Sequence, residues 1–332
     1  MSLDFARYLT IRSATAPVLA PDAARVAFLT DITGNAQVWS VAITEDGAAG
    51  WPEQLTFFQD KVWELHGTGS MDHMIAVGDV GGNERQQLYL VTGFGSSSHE
   101  VRRLTHDQDA IHRFGAFSRD GRQIVYTSNA RDPQTFDPYW MDLSSGESRR
   151  LAESTGNRMI VAWSPDGGRL LSVDAVATEQ VDLYALDLAT GAEQHITADW
   201  PWARYASVAW RENGIYLLTD ITRDQGAICR LDPASGELTE ILAAADLLAD
   251  LGGAPGELEL LTVRGDGRQG VVALNVEGYS RLYVVDLVAG AVTGLDDVPS
   301  GVVANLGYGG GGDYLVFDLQ SPERNPDVWL YE

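Results

Sequence analysis

Six histidines, one cysteine and two Gly-Ser runs are where this chain would first be expected to carry chemistry. A serine nucleophile on a strand-turn-helix elbow calls for Gly-x-Ser-x-Gly, because a sharp, strained turn must lift the hydroxyl clear of the sheet. No such pentapeptide occurs, and the nearest runs, GTGSM at 67–71 and GFGSSS at 93–98, fall in expected turns. His66, His73, His99, His106, His112 and His195 show neither H-E-x-x-H nor Cys/His ligand spacing. His66 and His112 fall on or beside expected inner strands, where separate segments can assemble a metal site. The reading adopted for both is a structural or exposed histidine, and no metal or other cofactor is expected. Cys229, in GAICRLDP, reads as a small buried apolar residue. The glycines of YGGGGDY at 308–314 lie within a hairpin, not between a strand and a helix, so they form a turn and not a phosphate cradle. No catalytic residue is assigned to this chain.

The bulk composition narrows the partners. The chain has 332 residues, 45% of them hydrophobic, which is enough for a sizeable core. Acidic residues outnumber basic ones 47 to 23, for a formal net charge of −24. Such a surface repels phosphate backbones and anionic membranes, so neither nucleic acid nor membrane is an expected partner. A lone cysteine cannot close an internal disulfide, which points to a reducing compartment and a cytoplasmic location. No apolar run reaches the ~18–20 residues of a membrane span. MSLDFARYLTIRS lacks the apolar centre of a signal peptide.

The elements that position side chains are read from repeats. VAWSPDGGRLL at 161–171 is an apolar run, a tight turn and a second apolar run, and GAFSRDGRQIVY at 115–126 and VAWRENGIYLL at 208–218 repeat the pattern. A second phrase, a strand and turn followed by a short strand ending in Leu-Thr or similar, recurs. Its markers Leu55, Leu104, Leu151, Ile196, Ile241 and Leu295 are spaced 49, 47, 45, 45 and 54 residues apart. That is the period of a β-propeller blade. In the fourth unit, 159–164, 169–175, 181–188 and 193–197 read as strands a to d. Ser, Pro and Gly of SPDG at 164–167 suit positions i, i+1 and i+3 of a type I turn. Six full units and an unfinished seventh, ending at strand c over 327–332, predict an all-β, seven-bladed propeller of four-stranded antiparallel blades. The expected boundaries are a lead-in at 1–13 and a single propeller at 14–332, cut from a longer protein. ILAAADLLADLGGAPG at 241–256 fits either a short helix or the first strand of the sixth unit.

Within each antiparallel unit the a–b and c–d turns share one end, and the b–c loops and d–a crossovers share the other. The turns are short and stereotyped. The b–c loops are irregular and charged, which is where a rigid scaffold usually carries function. They supply the candidate site residues Asp79, Glu84, Arg85, Arg131, Asp137, Arg223, Asp224, Glu277, Tyr279, Arg281, Glu323 and Arg324. Phe136 and Tyr139 join Tyr279 as aromatic anchors.

Three stretches, RSATAPVLAPDAARVAFLTD at 12–31, GDVGGNERQQLYLV at 78–91 and VEGYSRLYVVDL at 276–287, resemble the propeller of the prolyl oligopeptidase family of serine peptidases, in particular its acylaminoacyl-peptidase-like and dipeptidyl-peptidase-like branches. The resemblance covers nearly the whole chain. It implies a propeller that restricts the access of short peptides to an α/β-hydrolase domain carrying the catalytic residues, a domain absent from this chain. The dipeptidyl branch holds the substrate amine with a Glu-Glu pair. This chain has no adjacent glutamates, which leaves Glu84 as a candidate single carboxylate. Two other readings remain open: a stand-alone TolB-like or WD40-like protein-interaction module, and a propeller lactonase or sugar lyase with a channel metal.

Overall fold

Short apolar runs bounded by Asp, Gly and Ser fold as strands, and the inner ones, such as His73–Gly78, Gln123–Ser128 and Gly214–Thr219, are buried on both pleat faces. The computed structural model describes residues 11–44, 49–68, 71–94, 98–177 and 180–332. Residues 1–10 of the expected lead-in, and parts of the 67–71 and 93–98 runs, lie outside them. The chain divides into two compact units, Met1–Glu84 with Tyr89–Arg103 and Gly301–Glu332, and Arg85–Leu88 with Leu104–Ser300.

In the first unit, β1 (Ala14–Leu19), β2 (Arg25–Thr30), β3 (Gln37–Ala42) and β4 (Glu53–Gln54) form one antiparallel sheet in that order. β5 (Val62–Gly67), β6 (His73–Gly78), β7 (Gln87–Thr92) and β8 (Glu100–Arg103) form the next. The second unit holds β9 (His112–Phe117), β10 (Gln123–Ser128), β11 (Asp137–Asp142) and β12 (Ser148–Arg150), then β13 (Arg158–Trp163), β14 (Arg169–Ala177), β15 (Gln180–Asp187) and β16 (Glu193–His195). β17 (Tyr205–Arg211), β18 (Gly214–Thr219), β19 (Ala227–Leu231) and β20 (Leu238–Ala243) follow. β21 (Gly256–Val263), β22 (Gln269–Val276), β23 (Tyr279–Asp286) and β24 (Val292–Gly294) complete that unit. The last sheet belongs to the first unit and has three strands, β25 (Val302–Gly309), β26 (Tyr314–Ser321) and β27 (Arg324–Tyr331). The fold is a seven-bladed β-propeller whose last blade has three strands.

The ambiguous 241–256 stretch is both of the expected things in succession. Ala244–Asp250 is a helix, α1, and β21 starts at Gly256. The Asp246 carboxylate accepts the Ala243 N–H at 3.1 Å, and Gly252 and Gly253 take positive φ to end the helix. Leu247 and Leu248 join the core between the fifth and sixth sheets. This inserted helix explains the long final spacing of 54.

Within each unit, first strands lie beside first strands: β9, β13, β17 and β21 in one, β25, β1 and β5 in the other. All seven carry a register shift against their second strand. Such bulges bend and re-aim a strand. The approach between neighbours is close. A Cβ on Gly115 of β9 would lie 2.8 Å from the Ile160 Cβ of β13, and one on Gly309 of β25 would lie 2.6 Å from the Leu19 Cβ of β1.

The recurring Leu-Thr phrase has a structural cause. Thr56 Oγ1 accepts the Val38 N–H at 2.9 Å and donates to Gln37 Oε1 at 2.9 Å, while Gln37 Nε2 donates to the Phe58 and Asp60 carbonyls. Thr105, Gln87, Asp107 and Ala110 repeat the clasp in the next blade. Thr197 binds the Leu183 N–H in the fourth. Each clasp ties the start of the third strand to the end of the fourth and, where Gln is present, to the crossover beyond.

The turns absorb part of the acidic excess. Asp142, Asp187, Asp232 and Asp286 each accept turn N–H groups between the third and fourth strands, and Asp120, Asp166 and Asp266 do so between the first and second. Hydrogen bonds from the Ser144 hydroxyl and from the Ser145 N–H and hydroxyl hold Asp142 down at about 2.

Two outcomes test this account. Gly115→Ala should lower stability by about 1–3 kcal/mol through overpacking. Gly265→Ala, where a Cβ would meet nothing within 4 Å, should change the urea midpoint little. The depressed turn carboxylates should also make the fold acid-labile. Unfolded aspartate titrates near ~3.9. Between that value and the lower folded value the unfolded chain binds more protons. The contribution is therefore intact above about pH 4 and is lost as pH falls toward about 2. In thermal melts across that window, Asp142→Ala should start lower than the parent protein and fall less on acidification.

Candidate functional site

The candidate residues sit at the loop end of the sheets, and the structure sorts them into those that build loops and those that face solvent. In the first unit, Asp79 is a buried loop organiser. One carboxylate oxygen accepts Trp63 Nε1–H at 2.9 Å and the other accepts the Glu84 N–H at 2.8 Å. Glu84 is thereby held at φ +59°, with its residue exposed. Arg85, in the second unit, is exposed as well.

In the second unit, Arg131 and Asp137 are partners and not two recognition charges. Arg131 Nε and Nη2 bind the two Asp137 oxygens at 2.7 and 2.9 Å, and Nη2 also donates to the Ser154 carbonyl at 2.8 Å. The Asp137 side chain is fully buried and also takes the Ser154 N–H at 2.8 Å, with Arg150 at 3.4 Å. Burial alone would raise its pKa. The Arg131 hydrogen bonds, the Ser154 N–H and the charges of Arg131 and Arg150 outweigh that and hold it below the usual carboxylate range. Arg223 is likewise engaged, with Glu240 at 3.2 Å. Asp224 beside it is exposed.

Two expected irregular loops are tight hairpins. Val276 pairs with Tyr279, so only Glu277 and Gly278 form the turn, at φ +53° and +86°. Positive φ at both positions is the type I′ geometry that matches strand twist. Ser321 pairs with Arg324 in the last sheet, leaving Pro322 and Glu323 as the turn. Tyr279 and Arg281 therefore stand on β23, Arg324 on β27 and Asp137 on β11, not in loops. β22, β23, β26 and β27 have eight residues, and β14 and β15 nine and eight, where most first, second and third strands of the remaining blades have six. The two extra residues add about 6.6 Å of reach at ~3.3 Å per residue. Glu277, Tyr279 and Arg281 are exposed on one such hairpin, and Glu323 and Arg324 on the other.

The expected aromatic anchors change too. Phe136 is buried beneath the Arg113 guanidinium, 3.7 Å from its ring centroid, and Tyr139 is half-buried and stacked on Tyr126 at 5.3 Å. Other exposed rings lie in and beside the crossovers, apart from Trp51, which is 87% exposed between β3 and β4. Trp202 is 76% exposed in the second unit, and Phe57 is 75% exposed in the first. Trp63 is partly exposed beneath the Lys61 ammonium at 3.3 Å. The signal available was two tryptophans in the polar crossover segment DWPWA at 199–203.

Among the described residues, the histidines and the cysteine do not assemble an acid-base centre. His195 meets Thr197 Oγ1 at 3.3 Å and Asp182 at 3.6 Å through the same ring nitrogen, so the three cannot relay a proton. His66 pairs with Glu64 at 2.8 Å, and His112 is buried. Cys229 is fully buried, and burial pushes its thiol up to about 11. Among the described residues no three His, Cys, Asp or Glu side chains come together as a metal site, and no helix is long and apolar enough to cross a membrane. What the arrangement presents is a polar, mixed-charge surface on extended hairpins.

That architecture is shared with proteins of differing function. No family model matches the sequence, and no curated protein matches it either. Among solved structures, a prolyl endopeptidase matches with a TM-score of 0.69 at 15% identity, over 97% of this chain and 48% of that one. This chain thus spans about half the length of that enzyme. The oligogalacturonate lyase of Vibrio parahaemolyticus matches with a TM-score of 0.69 at 13% identity, over 97% and 91% of the two chains. TolB from Acinetobacter baumannii matches with a TM-score of 0.56 at 16% identity, over 89% and 66%. At these identities the likeness is one of fold.

The Arg131–Asp137 pair is directly testable. Arg131→Met should destabilise the protein by about 1–3 kcal/mol, because it leaves a buried carboxylate with only the Ser154 N–H and Arg150. Arg131→Met combined with Asp137→Leu should recover part of that loss in denaturant titrations.

Proposed function

We propose that this chain is a non-catalytic propeller that controls the access of short peptides to an α/β-hydrolase domain of a longer serine peptidase. The observation that carries this reading is the match of 97% of the chain to 48% of a prolyl endopeptidase, a protein in which inter-domain dynamics act in catalysis and specificity. The absence of Gly-x-Ser-x-Gly is consistent with catalysis residing elsewhere. The eight-residue hairpins supply a physical means of selection. Glu277, Tyr279 and Arg281 form a mixed-charge aromatic edge suited to a polar inter-domain surface. Glu84, set by Asp79, is the candidate carboxylate for a substrate amine.

A second reading draws on the lyase, 91% of whose chain is matched: a propeller of this size without a further large domain. Here it would be an interaction module, as also expected from the TolB likeness.

The test uses the protein encoded by the complete reading frame. A fluorophosphonate probe should label one serine there and none on residues 1–332. Arg281→Glu with Glu277→Lys should raise kcat/KM for long relative to short peptides by about fivefold or more, a change of ~1 kcal/mol. A reading frame without a nucleophile elbow, or a length preference untouched by the hairpin variant, overturns the gating function.

A further inference from the structure

A separate groove opens at the opposite, turn end of the third and fourth sheets. Its volume is about 330 Å³, at the small end of the range for small-molecule sites. Trp140 and Trp163 line it, with Arg119, Arg149, Gln123 and Leu188. Trp140 on β11 and Arg149 on β12 are directly opposite in the antiparallel register. The indole N–H of Trp140 donates to Gln123 Oε1 at 3.1 Å, which fixes that ring. The Arg149 guanidinium lies 5.4 Å from the Trp140 ring centroid, and Arg149 has no ion pair among the described residues. Arg119 is held by Glu212 through Nη1 at 3.1 Å. The Trp163 Nε1–H is buried without a partner.

In a chain with 47 acidic and 23 basic residues, both charged side chains that line this aromatic groove are arginines. The nearby turn acids keep their charge but are directed away from the groove. The Asp120 carboxylate is turned onto the Ser118 hydroxyl at 2.7 Å and the Arg122 N–H at 3.1 Å. The Asp166 carboxylate is turned onto the Ser164 hydroxyl at 2.6 Å and the Gly168 N–H at 3.0 Å. Neither lines the groove. A guanidinium matches a planar carboxylate in two parallel hydrogen bonds, and an indole face accepts a flat ring. With one arginine unpaired and the other half engaged, the charge suits a monoanion better than a dianion.

We propose that this groove binds a small aromatic carboxylate, its ring against Trp140 and Trp163 and its carboxylate on Arg149. The inference does not rest on the gating function, since the groove and the extended hairpins are at opposite ends of their sheets.

The probe is 2-naphthoate, titrated calorimetrically into the whole chain, with 2-naphthamide as its uncharged counterpart. Saturable binding at or below about 1 mM is expected, with the amide at least about tenfold weaker, the loss of one charge-assisted contact. Arg149→Gln should weaken naphthoate at least about fivefold. Because Arg149 is exposed, its thermal midpoint should match the parent protein. Arg281→Glu should leave naphthoate binding unchanged, which separates this site from the hairpins. Equal affinity for acid and amide, no saturation, or full binding by Arg149→Gln each overturns the proposal.

Discussion

The packing of one first strand against the next is the constraint from which the rest of the architecture follows. Strands in a sheet twist by roughly 20–25° from one to the next. Sheets arranged with their first strands together must therefore narrow at that edge while their outer strands splay. At the closest approaches one of the two facing residues is therefore a glycine. Gly115 faces Ile160 there in the second unit, and Gly309 faces Leu19 in the first. The register shift in every first strand re-aims it at this line of contact. Behind it the apolar faces of neighbouring sheets close on each other, as Leu171 and Leu183 do with Leu217 and Cys229. Close packing of this kind also explains why the single cysteine has no accessible thiol.

The same constraint decides where polar groups go. Fourth strands are short and outermost, so they need tethers other than backbone ladders. Thr56, Thr105 and Thr197 supply them, with Gln37 and Gln87 bridging to the crossovers. Turn aspartates bind the N–H groups that a tight reversal leaves unpaired. A net charge of −24 is thus partly the by-product of building many turns. Arg131 likewise serves Asp137 and the Ser154 carbonyl, and Arg223 serves Glu240.

Much of the fold was legible in the residues, because propeller blades are local objects. Each strand pairs with its sequence neighbour, and each tight turn is set by a few consecutive side chains. SPDG and the Asp-x-x-x-Gly turns report themselves for that reason, and so does the period. The helix at Ala244–Asp250 was half legible, since its apolar residues suit either a strand or a helix until Gly252 and Gly253 end it. The candidate site was much less legible. Glu277-Gly278 looked like an irregular loop because a type I′ turn with Glu at positive φ has no strong sequence signature, unlike Asn-Gly.

The sequence by itself determined the number of blades, the antiparallel meander in each, the buried state of Cys229 and the lack of a Gly-x-Ser-x-Gly motif. Those properties depend on residues within a few positions of one another or on plain hydropathy. Only the tertiary structure decided which charges are spent on the fold. Arg131 meets the Ser154 carbonyl 23 residues away, and Trp140 shares a groove with Trp163 of the next sheet. Which side chains meet at such separations is set by strand register and by the stacking of one sheet on another, and a linear pattern of residue types does not encode that geometry position by position.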